Sequence, residues 1–114
     1  CFTNLVDFDS SYGHRRDPIG YGNLLEEFDK FITRFMAKMH DDDLLIITAD
    51  HGNDPTFSGT DHTREHVPLI MYFNNCKGKK LGDNSTFANI GKTILDNFNV
   101  KNDLIGKSYL EELD

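Results

Sequence analysis

The chain has 114 residues, enough for one small domain with a core and too few for two. Nineteen acidic and twelve basic side chains give a formal net charge of −7, which argues against a nucleic-acid or anionic-membrane surface. No apolar run reaches the ~20 residues that span a bilayer, and Cys1 and Cys76 lack the spacing of a disulfide framework or a thiolate zinc site, so the sequence predicts a cytoplasmic protein.

The first part of the chain predicts a strand, a loop and a helix. It opens at Cys1 rather than Met, directly on a strand-like run, and we expect a piece of a longer polypeptide. Aromatic and branched residues in Phe2–Phe8 predict a strand, and the polar stretch Asp9–Gly20 predicts a functional loop. Apolar residues recur at three- and four-residue intervals from Tyr21 to Met39, which predicts an amphipathic helix.

The stretch Leu44–Asp54, LLIITADHGND, predicts a second strand with a reactive end. A short, nearly continuous apolar run is typical of an interior strand of a parallel sheet. Ligands bind beyond the carboxyl ends of such strands, where Asp50 and His51 stand side by side. The polar stretch Asp50–His66 that follows is too long for a simple connector, which also favours function.

The remaining segments complete a predicted α/β fold. Val67–Phe73 predicts a third strand, and Ser85 is a candidate N-cap for a helix that runs to Phe98. A strand, a long helix and a second strand imply a right-handed crossover with parallel pairing. The sequence therefore predicts one domain over residues 1–114, with a mostly parallel sheet of about three strands flanked by two main helices.

Carboxylates and imidazoles gather in the loops that follow the predicted strands. The candidates are Asp7, Asp9, His14, Asp50, His51, Asp54, Asp61, His62 and His66. Mixed Asp and His ligands suit zinc, manganese or iron, and carboxylate-rich sets favour manganese and magnesium. So many ligands could hold two metal ions ~3.5–4 Å apart, which clamp a phosphoryl group during its transfer.

Two longer motifs give a resemblance to a known family. The segments VDFDSSYGHRRD (Val6–Asp17) and ITADHGNDPTFSGTDHTREHVP (Ile47–Pro68) closely resemble the phosphopentomutases, a family of the alkaline phosphatase superfamily. ADHGN alone is shared more widely, for example with cofactor-independent phosphoglycerate mutases. The pentose enzymes are indicated by GHRRD after DFD and by GTDHTRE.

The resemblance implies two manganese sites. Asp9, His14 and His62 would bind one ion, and Asp50 and His51 would bind the other. Spacing alone does not decide whether Asp7 or Asp9 is the metal ligand, because both lie on one face of a strand. The resemblance selects Asp9, five residues before His14, and makes Asp7 a supporting or structural residue.

Three residues near the predicted ligands each have two possible roles. His66 forms H-x-x-x-H with His62, but Gly59 and Pro68 nearby argue against a helix that would bring both onto one metal. Asp54 and Asp61 either orient imidazole ligands or cap the loop.

The arginines Arg15, Arg16 and Arg64 either bind phosphate through the guanidinium or form ion pairs with Asp17, Glu65 or the metal-binding carboxylates. Neither interpretation makes them part of the predicted site.

For function, the resemblance implies the metal-binding part of an alkaline-phosphatase-like core. The complete enzyme would be an isomerase that interconverts (deoxy)ribose 1-phosphate and 5-phosphate through a phosphothreonine, with two Mn²⁺ ions and activation by a sugar bisphosphate. The nucleophilic threonine, an amino-terminal aspartate ligand and the cap domain lie outside these residues, so we expect the chain alone to be inactive. The alternatives are another enzyme of the superfamily, a phosphoglycerate mutase or a phosphatase, and a cation-binding module without catalysis.

Overall fold

The computed structural model describes residues 1–113, which form two compact units. The first unit is Cys1–Asn74 and the second begins at Asn75. Each unit is described by itself below, and the single domain expected from the sequence stays a prediction. All the candidate ligands lie in the first unit.

The first unit contains a π-helix, a long α-helix and two strands, and the second contains two α-helices. Their bounds are Phe8–Gly13 for the π-helix, Pro18–Met36 for α1, Leu45–Thr48 for β1, Leu69–Tyr72 for β2, Ala88–Asn97 for α2 and Leu110–Leu113 for α3. Within residues 1–113, no helix combines the length and the apolar character needed to cross a bilayer.

The predicted strand Phe2–Phe8 is wrong, because the chain turns into the π-helix instead. The carbonyl oxygen of Val6 accepts hydrogen bonds from the backbone N–H groups of Asp9 and Ser10, at 3.2 and 2.9 Å. Among residues 1–113, Phe2–Phe8 pairs with no strand. A strand stabilises its backbone only through a partner, whereas a helical turn does so locally.

Helix α1 is the predicted amphipathic helix, and it begins three residues before the predicted start at Tyr21. Its first residue is Pro18, and the Asp17 side chain accepts a hydrogen bond from the Gly20 N–H at 2.9 Å. Aspartate at the N-cap followed by proline is a standard helix start, because the aspartate side chain accepts from a free N–H group of the first turn and proline has no N–H group that needs a partner. The helix ends at Met36 rather than at Met39.

Aromatic contacts pack α1 onto the π-helix. The Phe8 ring meets Tyr21 and Phe28 edge to face, with ring centroids 5.3 and 6.3 Å apart. Such edge-to-face pairs stabilise beyond simple burial by about 0.5–1.5 kcal/mol each. The packing fixes the π-helix, and with it Asp9, against a long rigid element.

The sheet differs from the predicted one in strand number and direction. Strands β1 and β2 form a two-stranded antiparallel sheet, with Leu45 opposite Tyr72 and Thr48 opposite Leu69. The predicted three-stranded, mostly parallel sheet is therefore not present within residues 1–113. The parallel prediction depended on a helical crossover from the first strand, and β1 and β2 are instead joined by a non-helical loop, which permits antiparallel pairing.

The second unit is organised around three buried side chains, Asn89, Thr93 and Tyr109. The Asn89 amide donates to the Tyr109 hydroxyl at 3.0 Å, and the Tyr109 N–H donates to Thr93 Oγ1 at 3.0 Å. Helix α2 is the second predicted helix, but its start is supported by Thr86, whose hydroxyl accepts from the Ala88 N–H at 3.1 Å, and not by Ser85.

Replacing Asn89 by alanine is expected to destabilise the second unit by about 1–3 kcal/mol, because the buried Tyr109 hydroxyl then loses its donor. Hydrogen exchange of the α2 amides would measure this loss. Asn97→Ala, at an exposed position of the same helix, is the matched control, with an expected change within ~0.5 kcal/mol. Equal effects of the two changes would contradict the role of Asn89.

Candidate metal centre

Asp9 lies at the centre of the candidate site. Its Oδ1 atom is 3.4 Å from His14 Nε2 and 3.3 Å from His62 Nε2. The same oxygen accepts a hydrogen bond from Asn53 Nδ2 at 2.7 Å. Asp9 belongs to the π-helix, a rare form that is frequently found at functional sites.

His51 joins this group from the end of β1. Its ring stacks on His62, with centroids 3.8 Å apart and planes at 25°. One ligand atom each from Asp9, His51 and His62 lies within 4.8 Å of the others. Asp50 Oδ2 is 3.4 Å from His51 Nε2, but the Asp50 side chain is 88% exposed and is not one of these three residues.

Each direct carboxylate–imidazole contact in the site joins two residues that were predicted to bind the same metal ion. The stacking of His51 on His62 brings a predicted ligand of one ion next to a predicted ligand of the other. Asp9 contacts His14 and His62, and Asp50 contacts His51. The structure brings all five residues into one region of the first unit. Metal ligation by them stays a prediction.

The spacing and chemistry of these atoms fit a divalent metal ion. Two ligand atoms that each lie ~2.1 Å from a tetrahedral metal are ~3.4 Å apart. The contacts from Asp9 Oδ1 to the imidazoles of His14 and His62, 3.4 and 3.3 Å, match this separation. Carboxylate and imidazole together are ligands of manganese, zinc and iron.

Main-chain carbonyls hold two of the imidazoles in a metal-binding form. His14 Nδ1 lies 2.5 Å from the Thr60 carbonyl oxygen, and His51 Nδ1 lies 3.2 Å from that of Gly52. Because a carbonyl oxygen only accepts, each Nδ1 carries a proton, and in the neutral ring Nε2 keeps its lone pair. Hydrogen bonding of the second nitrogen is how metal-binding histidines are usually oriented.

The antiparallel sheet explains why His51 and His62 meet. Thr48 at the end of β1 pairs with Leu69 at the start of β2, so both ends of the connecting loop lie together. An isolated bridge between Gly52 and Thr63 continues this pairing into the loop. The sequence predicted the same cluster from the carboxyl ends of parallel strands, so the cluster was expected for the wrong topological reason.

The electrostatics of the site favour an ionised Asp9. Partial burial acts to raise its pKa, but the hydrogen bond from Asn53 and the nearby His14, His51 and His62 lower the pKa below its ordinary value. A carboxyl group with a lowered pKa in the folded state stabilises the fold at neutral pH. This stabilisation is lost as the pH falls through the lowered pKa.

Removing the Asn53 amide is expected to raise the pKa of Asp9, because the carboxylate loses the hydrogen bond that favours its charged form. Titration of the Asp9 carboxyl carbon by ¹³C NMR in metal-free Asn53→Ala would measure this shift. Asn23→Ala, at an exposed position of α1, is the control and should leave the pKa unchanged. An Asp9 pKa that falls or stays constant in Asn53→Ala would contradict the expectation.

The neighbouring residues separate into clearer roles. Asp7 accepts a hydrogen bond from Ser11 Oγ at 2.6 Å, and no contact of Asp7 with an imidazole occurs in the described chain. Asp54 caps its loop, because its Oδ1 accepts from the Thr56 N–H and hydroxyl. These bonds also lower the pKa of Asp54. Residues 62–66 are not helical, as predicted, so His66 does not share a helix face with His62.

Asn53 and Arg16 contact the site, and the sequence did not predict either role. Arg16 Nη1 donates to Asn53 Oδ1 at 2.6 Å, which turns the Asn53 amide nitrogen toward Asp9. Ion pairs and phosphate binding were the interpretations considered for Arg15, Arg16 and Arg64, and no ion pair of these arginines occurs within residues 1–113. The available signal was an arginine two residues after His14 in the predicted loop, where guanidinium groups have many possible acceptors.

Residues 1–102 match the Metalloenzyme superfamily, and the chain belongs to this superfamily. The match covers the whole candidate site, and it agrees with an α/β fold at the coarse level and with divalent metal use.

Two relatives are more specific. The chain is 59% identical over 114 residues to a phosphopentomutase of Levilactobacillus brevis, and 59% identical over 116 aligned positions to a phosphopentomutase of Agathobacter rectalis. In both comparisons 99% of this chain is matched, and it spans 29% of the relative's length. The resemblance to phosphopentomutases deduced from the motifs is confirmed.

Proposed function

We propose that this chain is the carboxyl-terminal metal-binding part of a phosphopentomutase with an alkaline-phosphatase-like core. The observation that carries the proposal is the convergence of Asp9 with three imidazoles in a segment 59% identical to phosphopentomutases. The complete enzyme would be a cytoplasmic isomerase acting on pentose phosphates, and activation by a sugar bisphosphate is part of the proposal. Free Cys1 and Cys76 agree with a reducing compartment.

The residues divide between two manganese ions. Asp9, His14 and His62 would hold one ion, and Asp50 and His51 would contribute to the second. Bound there, divalent ions supply Lewis acidity, which lowers the pKa of a nucleophile and neutralises charge on a transferring phosphoryl group. The Asp9 carboxylate lies beside the Nε2 atoms of His14 and His62, so these three groups would share one ion.

An open depression beside His62 is a candidate place for the substrate. It has a volume of about 440 Å³ and is lined by Phe57, His62, Thr63, Arg64 and Glu65. The guanidinium of Arg64 would supply the positive charge that this acidic chain needs near a phosphate.

A chimeric enzyme tests the proposal. The matching part of the Levilactobacillus brevis phosphopentomutase is replaced by this chain, and the conversion of ribose 1-phosphate to ribose 5-phosphate is measured with Mn²⁺. We expect activity within about tenfold of the parent enzyme, a cost of up to ~1.4 kcal/mol in the barrier. The 114-residue chain alone should show no turnover. A folded chimera that binds manganese but does not convert the substrate would contradict the proposal.

A further inference from the structure

We propose that Arg16 is a positioning residue that holds the metal-binding loops together and orients Asp9 through Asn53. The inference rests on the proposed metal site, although the contacts that carry it do not involve a metal. Arg16 lies two residues after His14, where the backbone has a φ of 54°. This left-handed conformation is uncommon for residues other than glycine, and such residues persist where the surroundings fix them.

The Arg16 guanidinium donates to acceptors from every part of the site. Four of them are main-chain carbonyl oxygens, those of Gly13 at 3.0 Å, Asp54 at 2.8 Å, Gly59 at 2.5 Å and Asp61 at 2.5 Å. The fifth is Asn53 Oδ1 at 2.6 Å. Nη1 donates to Gly13, Asn53 and Asp54 through two N–H groups, so one of these is shared, while Nε donates to Gly59 and Nη2 to Asp61. Acceptors spread over all three nitrogens match the rigid planar fork of a guanidinium.

These acceptors are next to the ligands in sequence. Gly13 precedes His14, Asn53 follows His51 by two residues, and Asp61 precedes His62. One side chain therefore connects the end of the π-helix with both arms of the loop between β1 and β2. Fixing those three segments fixes the spacing of the histidines.

The bond to Asn53 extends this control to Asp9. Because Oδ1 of Asn53 accepts from Arg16, the amide nitrogen Nδ2 is on the opposite side and donates to Asp9 Oδ1 at 2.7 Å. That oxygen is the one that contacts the imidazoles of His14 and His62. Arg16 thus acts on the carboxylate through one asparagine and without contacting it.

Arginine is required at this position, and lysine is not an adequate substitute. An ammonium group has three donors on one nitrogen and cannot reach acceptors spread around a planar fork. Loss of residues that orient metal ligands typically lowers metal affinity by ~10–100-fold. We expect a decrease of this size for Arg16→Lys and for Asn53→Ala.

The test uses the 114-residue chain and two measurements. In the metal-free chain, NMR of the Asn53 side-chain amide should show its protons move toward the position of exposed asparagine amides in Arg16→Lys. Arg15→Lys, at the exposed neighbouring position, is the matched control and should leave the signal in place. An unmoved Asn53 signal in folded Arg16→Lys would overturn the proposal.

The second measurement is Mn²⁺ affinity, followed by the electron paramagnetic resonance of the free ion. If Arg16 acts through Asn53 as well as through the loop carbonyls, the double variant Arg16→Lys/Asn53→Ala loses little more affinity than Arg16→Lys alone, whereas independent residues give additive losses. Should Arg16→Lys fail to fold, unchanged affinity in Asn53→Ala would still overturn the proposal. A wild-type chain that does not bind Mn²⁺ contradicts the proposed metal site, and the NMR measurement then decides the link between Arg16 and Asn53 by itself.

Discussion

Asp9→Ala in the chimeric phosphopentomutase is expected to remove one of the two manganese ions proposed above and to lower activity by on the order of 10³-fold. The carboxylate oxygen lies close to the Nε2 atoms of both His14 and His62, so its removal takes away one of the three proposed ligands of that ion. Elemental analysis of the purified variant measures the metal content, and the conversion of ribose 1-phosphate measures activity.

Asp7→Ala is the matched control for this experiment, because sequence spacing alone did not distinguish Asp7 from Asp9 as the metal ligand. The exposed Asp7 accepts a hydrogen bond from Ser11, and its loss should cost ~0.5–1 kcal/mol of stability and leave the manganese content unchanged. Loss of manganese in Asp7→Ala with full retention in Asp9→Ala would reverse the assignment of the ligand.

Gly13→Ala is expected to destabilise the first unit by ~1–3 kcal/mol and to weaken metal binding, because the added methyl group has no space. An ideal Cβ at Gly13 would lie 2.6 Å from Asn53 Nδ2 and 2.7 Å from the Phe8 carbonyl oxygen. The first contact displaces the amide that binds Asp9, and the second is with main chain that yields little. Thermal unfolding and Mn²⁺ titration of the chain measure the two effects.

Gly22→Ala gives the opposite expectation with the same chemical change. Gly22 lies inside α1, and a Cβ there would meet nothing within 4 Å. Alanine is a better helix former than glycine by ~1 kcal/mol, so this variant should be more stable than wild type. A destabilised Gly22→Ala, or a stable Gly13→Ala with normal metal affinity, would contradict the packing described for these glycines.

Local patterns in the sequence were sufficient where the interactions are local. The three- and four-residue apolar spacing identified α1, and short branched runs identified β1 and β2 to within a few residues. The motifs also selected the residues that meet at the site, since Asp9, His14, His51 and His62 come together and Asp50 contacts His51.

Features that depend on long-range partners were not accessible in this way. Phe2–Phe8 has strand-like composition, but a strand requires a neighbour, and the local bonds of Val6 favour a helical turn. The direction of pairing between β1 and β2 likewise depends on their connection, which composition does not specify. The bond from Arg16 to Asn53 joins residues 37 positions apart, and no spacing rule relates them.

Four of the five groups that accept hydrogen bonds from Arg16 are main-chain oxygens, and this has an evolutionary consequence. Every residue type has a main-chain carbonyl group. A residue that binds Arg16 only through this group can therefore be replaced without changing the shape of the loop. Replacement of Asp54 is restricted, since its side chain also binds Thr56. Replacement of Gly59 is restricted because its φ of 82° favours glycine. Asp61 is exposed and gives Arg16 only its main-chain carbonyl oxygen, so the contact with Arg16 does not by itself require an aspartate at position 61.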